Sequence, residues 1–106
     1  MKLNKEVVDV FQFEVFEDGE QIDFVVFDRN TIHPPHVHQK VSSKLYVIEG
    51  NGKITLGSED CEYKRGDIFI VPKGTRHGFK VIETTVLLSI QDGPILYGDK
   101  LDFKYD

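Results

Sequence analysis

Two short stretches carry the residues whose types and spacing can do chemistry. In Pro35-His36-Val37-His38 two histidines stand at i and i+2, so on a β-strand both imidazoles leave the same face. In Pro72-Lys73-Gly74-Thr75-Arg76-His77 a Pro-x-Gly turn follows the apolar run Ile68-Phe69-Ile70-Val71 and sets a third histidine at the head of the next strand. A chelating pair joined by one ligand distant in sequence fixes three corners of a coordination sphere for a divalent transition metal. A His-x-His alone is an ordinary surface pattern. Here the neighbouring Pro34-Pro35 and the matching His77 make ligands of His36, His38 and His77 the better reading. His33 falls outside this spacing, an odd number of positions from His36, and reads as solvent-exposed or mouth-lining rather than as a ligand.

The two stretches resemble the paired motifs of the cupins. In that family the first motif runs Gly, five residues, His-x-His, three or four residues, Glu, six residues, Gly. The second runs Gly, five residues, Pro-x-Gly, two residues, His, three residues, Asn. This chain reads Asn30, His36, His38, Ser43, Gly50 and then Gly66, Pro72, Gly74, His77, Val81. A Pro-x-Gly turn alone is common, but both motifs stand in order and at the family's separation. The resemblance implies an antiparallel jelly-roll β-barrel with one metal bound by the three histidines. Asn30 stands in place of Gly, and Asn also takes a left-handed backbone readily, so the turn is expected to survive. Val81 replaces the Asn. Ser43 replaces the Glu, which in the family is the fourth ligand and the anionic one.

The Ser43 departure has a direct electrostatic consequence. Three neutral imidazoles leave the full charge of a divalent transition metal (Fe, Mn, Ni or Zn) uncompensated, which favours anionic, oxygen-rich chelators at the open positions. Strand parity with Leu45 and Val47 turns Ser43 inward. Its hydroxyl is a poor ligand and a better hydrogen-bond partner for a bound water. Gln39, in the loop between His38 and Ser43, can reach in as a replacement, although an ordinary polar loop residue is the simpler reading. Lys40 belongs to the same loop.

The elements that must position these residues read as strands. The chain has 106 residues, enough for one domain spanning 1–106 with a single core. Apolar residues alternate or run in short blocks broken by turn signals, the pattern of a sandwich or barrel, and no segment has the helical period. Phe11 to Val15, an Asp18-Gly19 turn and Ile22 to Phe27 form a hairpin. Leu45 to Ile48, a turn at Gly50-Asn51-Gly52, and Lys53 to Leu56 follow. Ile68 to Val71, Gly78 to Ile82 and Thr85 to Ile90 complete the regular part before a short tail from Asp92-Gly93-Pro94. Phe24 to Phe27, Ile68 to Val71 and Val86 to Leu88 are apolar on both faces, where a sheet covered on one side shows alternate polar residues. That favours a homodimer through an outer sheet.

Composition excludes several other classes. The net charge of −5 opposes capture of nucleic acid or anionic lipid. No apolar stretch approaches a membrane span and the first residues lack a signal-peptide core, which points to the cytoplasm. Cys61 is alone, so no internal disulfide forms, and it reads as a small strand residue. Neither a phosphate-cradling loop nor a Gly-x-Ser-x-Gly elbow is present. Two functions remain. One is a metal-dependent enzyme of the dioxygenase, isomerase or lyase class acting on a small oxygen-rich or anionic metabolite, with His33, Tyr46, Tyr97 or a metal-bound hydroxide as candidate bases. The other is a non-catalytic module that binds or senses a sugar or acid.

Overall fold

In the computed structural model, which describes residues 2–4, 8–15, 21–39, 41–92, 96–97, 100–101 and 104–105, every regular element is a β-strand. These are β1 (Lys2–Asn4), β2 (Val8–Val15), β3 (Gln21–Phe27), β4 (Ile32–Val37), β5 (Ser43–Leu56), β6 (Glu59–Lys64), β7 (Ile68–Val71), β8 (His77–Gln91), β9 (Leu96–Tyr97), β10 (Lys100–Leu101) and β11 (Lys104–Tyr105). All pairings are antiparallel. The Asp18-Gly19 turn, Lys40 and the Gly93-Pro94 opening of the tail lie outside the described residues.

Two long strands organise the rest. β5 and β8 pair from Ser43–Gln91 at one end to Leu56–His77 at the other, with register shifts between Val47 and Gly52. On the free edge of β8, β3 pairs with residues 85–91 and β4 with residues 77–80. On the free edge of β5, β7 takes the first residues and β6 the last. The pair thus belongs to two sheets and bends from one into the other. The nine strands are hydrogen-bonded into one curved sheet; its half with β1, β2, β3 and β7 is the first sheet of the roll, and its half with β4, β6 and β11 the second. This is the antiparallel jelly roll that the sequence implies.

The bend corrects one sequence reading. Gly50-Asn51-Gly52 is no hairpin turn but the corner inside the continuous β5. Gly50 has φ +100° and a Cβ there would stand 2.5 Å from the Thr84 carbonyl oxygen. A Cβ on Gly52 would collide with the Lys80 carbonyl oxygen and the Tyr63 hydroxyl. Tyr63 braces the same corner through a 2.7 Å hydrogen bond between its hydroxyl and Thr85 Oγ1. The polar strand β6, of which the sequence reading marks only Cys61 as a strand residue, forms because it pairs along β5 while burying Tyr63 alone.

Both faces of the corner are apolar. Phe27, Leu45, Val47, Val71 and Leu87 from the first sheet meet Ile54, Tyr63, Phe79 and Val81 from the second. Farther from the corner the inward positions become polar: Asp23, Ser43, Ser89 and Gln91 on one sheet, His36 and His77 on the other. Gly52→Ala is expected to destabilise the protein by about 1–3 kcal/mol, since backbone and a buried ring must both shift. Urea unfolding checks this, and a midpoint equal to wild type contradicts the packing described.

Candidate metal centre

The three histidines named from sequence converge. His36, on β4, and His77, the first residue of β8, are direct cross-strand partners. His38 follows the end of β4, and all three are buried. Their ligand nitrogens lie within 4.8 Å of one another. Ring centroids are 4.1 Å apart for His36 and His77, 5.0 Å for His38 and His77, and 5.3 Å for His36 and His38. Imidazoles at right angles to one another around a common ion fall at similar separations when each nitrogen is about 2.1 Å from it.

Backbone groups fix the rings. His36 Nδ1 stands 2.9 Å from the Pro34 carbonyl oxygen and His77 Nδ1 3.0 Å from that of Thr75. A carbonyl only accepts, so each Nδ1 carries the proton and each Nε2 keeps its lone pair for a metal. The two motifs are also tied to each other. Gly74 N–H donates to the His38 carbonyl at 2.8 Å, and Lys73 N–H donates to Ser42 Oγ at 2.9 Å. Gly74, at φ +78°, gives the turn the left-handed residue it needs. Asn30 likewise adopts φ 63°, as expected of the residue in the family's glycine position.

Burial keeps His33, His36 and His77 neutral. Burial first, and then the neighbouring His77 and His33, push His36 down to about 2. Burial lowers His77 to about 4 against the opposing pull of the Thr75 carbonyl, with His38 adding to the drop. His33 also falls to about 4, through burial and then through His77 and His38. Neutral imidazole is the ligating form, so the donor set fits a divalent transition metal without first losing protons.

Other sequence readings meet mixed outcomes. Ser43 is inward and buried, as parity requires, and brings no charge. Gln39 is exposed in the bend after β4 and is not among the three grouped side chains. Tyr46 is half-buried on the opposite parity to Leu45 and Val47, which removes it as an interior base. Lys44 is exposed, its ammonium 5.3 Å from the Tyr46 ring centroid. Arg76 donates to the Gly57 carbonyl oxygen at 3.3 Å. His33 is the correction: it is buried, and its ring lies 4.4 Å from that of His36. Asp23, Ser89 and Gln91 were not singled out at all. The polar residues at inward positions after Leu87 are the signal that marks them, and Gln91 Nε2 donates to Ser89 Oγ at 2.6 Å.

The sequence profile of the family described as "Cupin domain" matches residues 23–90, which include both motifs. The chain belongs to the cupin family. Among curated proteins, this cupin is 31% identical over 68 residues to germin-like protein 9-1 of Oryza sativa subsp. japonica, covering 56% of this chain and 28% of that protein. It is 33% identical over 61 residues to a gentisate 1,2-dioxygenase of Haloferax sp, covering 58% and 17%. The cupin thus spans less than a third of the length of these relatives. Among solved structures, KdgF from Halomonas sp. superimposes with a TM-score of 0.77 at 22% identity, over 89% of this chain and 86% of that one. Salicylate 1,2-dioxygenase from Pseudaminobacter salicylatoxidans gives a TM-score of 0.78 at 15% identity, over 86% and 27%. At these identities the structures establish the fold alone.

The depressed histidines give the cupin a pH signature. An ordinary histidine ligand set releases its metal below about pH 6. Here protons compete for the folded His77 only near pH 4, so zinc release is expected closer to about pH 4–5. In the metal-free protein, histidines of the unfolded chain protonate near 6.5 while His33 and His77 resist until about 4. Stability is therefore full above pH 6.5 and is lost as the pH falls toward 4, by roughly 3 kcal/mol for each of these two histidines. Urea midpoints of metal-free protein at pH 7 and pH 5 check the sign. A midpoint that does not fall at pH 5 contradicts it.

Proposed function

We propose that this cupin is a metal-dependent enzyme in which His36, His38 and His77 hold one divalent transition metal and a small oxygen-rich or anionic metabolite binds at the open positions. The observation that carries the reading is the inward convergence of three buried imidazoles, with a serine where the family has its carboxylate. A metal held there supplies Lewis acidity and, in the case of iron, redox chemistry with dioxygen. The gentisate 1,2-dioxygenase relative supports the dioxygenase class among these chemistries.

The chain's own residues have separable roles in this scheme. The Pro34 and Thr75 carbonyls orient His36 and His77. Ser43 adds no negative charge, so an anionic ligand meets the metal's charge without competition from a protein carboxylate. The buried Asp23, Ser89 and Gln91 make inward positions of the first sheet polar, which suits a hydroxylated ligand.

Metal analysis of purified protein and of His77→Ala is the first test, with one metal per chain expected in wild type and loss of most of it in the variant. Fe(II)-loaded protein is then offered gentisate, salicylate and small hydroxy acids while oxygen uptake and the visible spectrum are followed. Ser43→Glu is expected to tighten metal binding and to weaken binding of these acids. Metal content unchanged by His77→Ala, or equal metal affinity in wild type and Ser43→Glu, favours the non-catalytic binding module.

We also propose that the chain forms a homodimer through the outer face of its first sheet. Ile68 and Ile70 on β7 are 53% and 67% exposed. Across β5, Ile68 lines up with Tyr46 and the half-buried Leu88 of β8 in an apolar row, while Ile70 faces the half-buried Ile90 across the exposed Lys44. Sedimentation at micromolar concentration is expected to show a dimer that Ile70→Lys converts to monomer. A wild-type monomer rejects the assembly.

A further inference from the structure

His33 lies where strand alternation from His36 would turn it outward, and a bulge is the reason it does not. β4 and β8 pair at Ile32–Lys80 and His33–Phe79 and resume at His36–His77. Three steps along β4 therefore oppose two along β8, and the extra residue falls in Pro34-Pro35. Proline suits that place because it has no N–H to lose from the ladder. The inserted residue reverses the parity, so His33 and His36 both face inward and are both 3% exposed. Gly78 supplies the room: a Cβ there would stand 2.9 Å from His33 O and from Pro35 N, backbone atoms with no freedom to yield.

The bulge sets the His33 ring between the core and the metal ligands. Its centroid is 5.2 Å from that of Phe27, a member of the apolar cluster, and 4.4 Å from that of His36. His33 is not one of the three residues whose ligand nitrogens gather within 4.8 Å. It stands next to that set rather than in it, against the His36 ring and near enough to His77 and His38 to interact with both electrostatically. A neutral imidazole donates from one ring nitrogen and accepts at the other, so it can pair with an anionic or a protonated ligand atom.

The geometry points to His33 as the positioning residue that hydrogen-bonds, from the core side, a small polar ligand bound at the metal of His36, His38 and His77. This rests on the metal centre proposed above and adds its ligand class. The inner position takes small anions or the polar head of a chelating acid, because the ring and Phe27 behind it close off the space below. Ser43, with a short side chain, does not replace this contact with a charge of its own.

Co(II) and azide are the probes, with the Co(II) spectrum reporting both binding events. His33→Phe keeps a ring against Phe27 and removes the hydrogen bond, whereas His33→Gln keeps a donor and an acceptor. Both variants are expected to bind Co(II) within a few-fold of wild type. Azide affinity is expected to fall about tenfold in His33→Phe, the loss expected for a hydrogen bond to a charged group, and to recover in His33→Gln. Wild-type azide affinity in His33→Phe overturns the inference while leaving the metal centre standing. Folded His33→Phe that no longer binds Co(II) also overturns it, by making His33 a ligand. Wild type that binds no Co(II) overturns the centre itself and this inference with it. Should His33→Phe fail to fold, imidazole nitrogen resonances of wild-type, Zn(II)-loaded protein are followed during azide addition. Those of His33 are expected to move, and their standing still overturns the inference.

Discussion

The pairing of β5 with β8, strands long enough to belong to both sheets, is the constraint on which the rest of this structure depends. Because the two strands bend together, each residue's distance from the corner fixes its depth in the interior. Apolar inward side chains lie near the bend, where the sheets meet, and polar ones lie toward the opposite end. Gly50 and Gly52 make the bend possible by letting the β5 backbone approach Thr84 and Lys80 more closely than any side chain allows. A fault at the corner would therefore be felt at the histidines, which sit on strands aligned by that pairing.

The histidine cluster gives up stability in acid. Burying several imidazoles side by side is unfavourable to their charged forms, and the low proton affinities of His33, His36 and His77 record that cost. The same environment leaves the Nε2 lone pairs of His36 and His77 unprotonated, because backbone carbonyls hold their Nδ1 protons. The hydrogen bond from Gly74 to the His38 carbonyl makes the two motifs one mechanical unit. A turn far along the chain thus sets the position of a histidine in the first motif.

The departures from the family pattern are absorbed in different ways. Asn30 takes the left-handed conformation that its position demands. Val81 becomes a core residue, buried against Phe79 and its neighbours in the apolar cluster. Ser43 stays inward, so the backbone path of the missing Glu is kept while its charge is not. Only the last of these alters what the interior can bind.

Much of the architecture was legible in the chain because its signals are local. Period-two alternation gives strands and parity turned Ser43 inward. The His-x-His spacing put two rings on one face, and the Pro-x-Gly turn set His77 at the start of β8. What the sequence could not give depends on the partner strand. Gly50-Asn51-Gly52 reads as a turn, but whether a glycine pair reverses a strand or bends it is decided by β8, which continues past the corner and carries β5 with it. β6 has almost no apolar alternation and exists because β5 offers it an edge. The depth of Asp23, Ser89 and Gln91 follows from sheet curvature, to which composition is blind. His33 shows the limit most clearly. Counting residues along β4 turns it outward, and a single extra residue opposite β8, accommodated by Gly78, turns it in. Parity is a property of one strand, whereas a bulge is a property of two, so only the tertiary pairing could place the fourth histidine beside the other three.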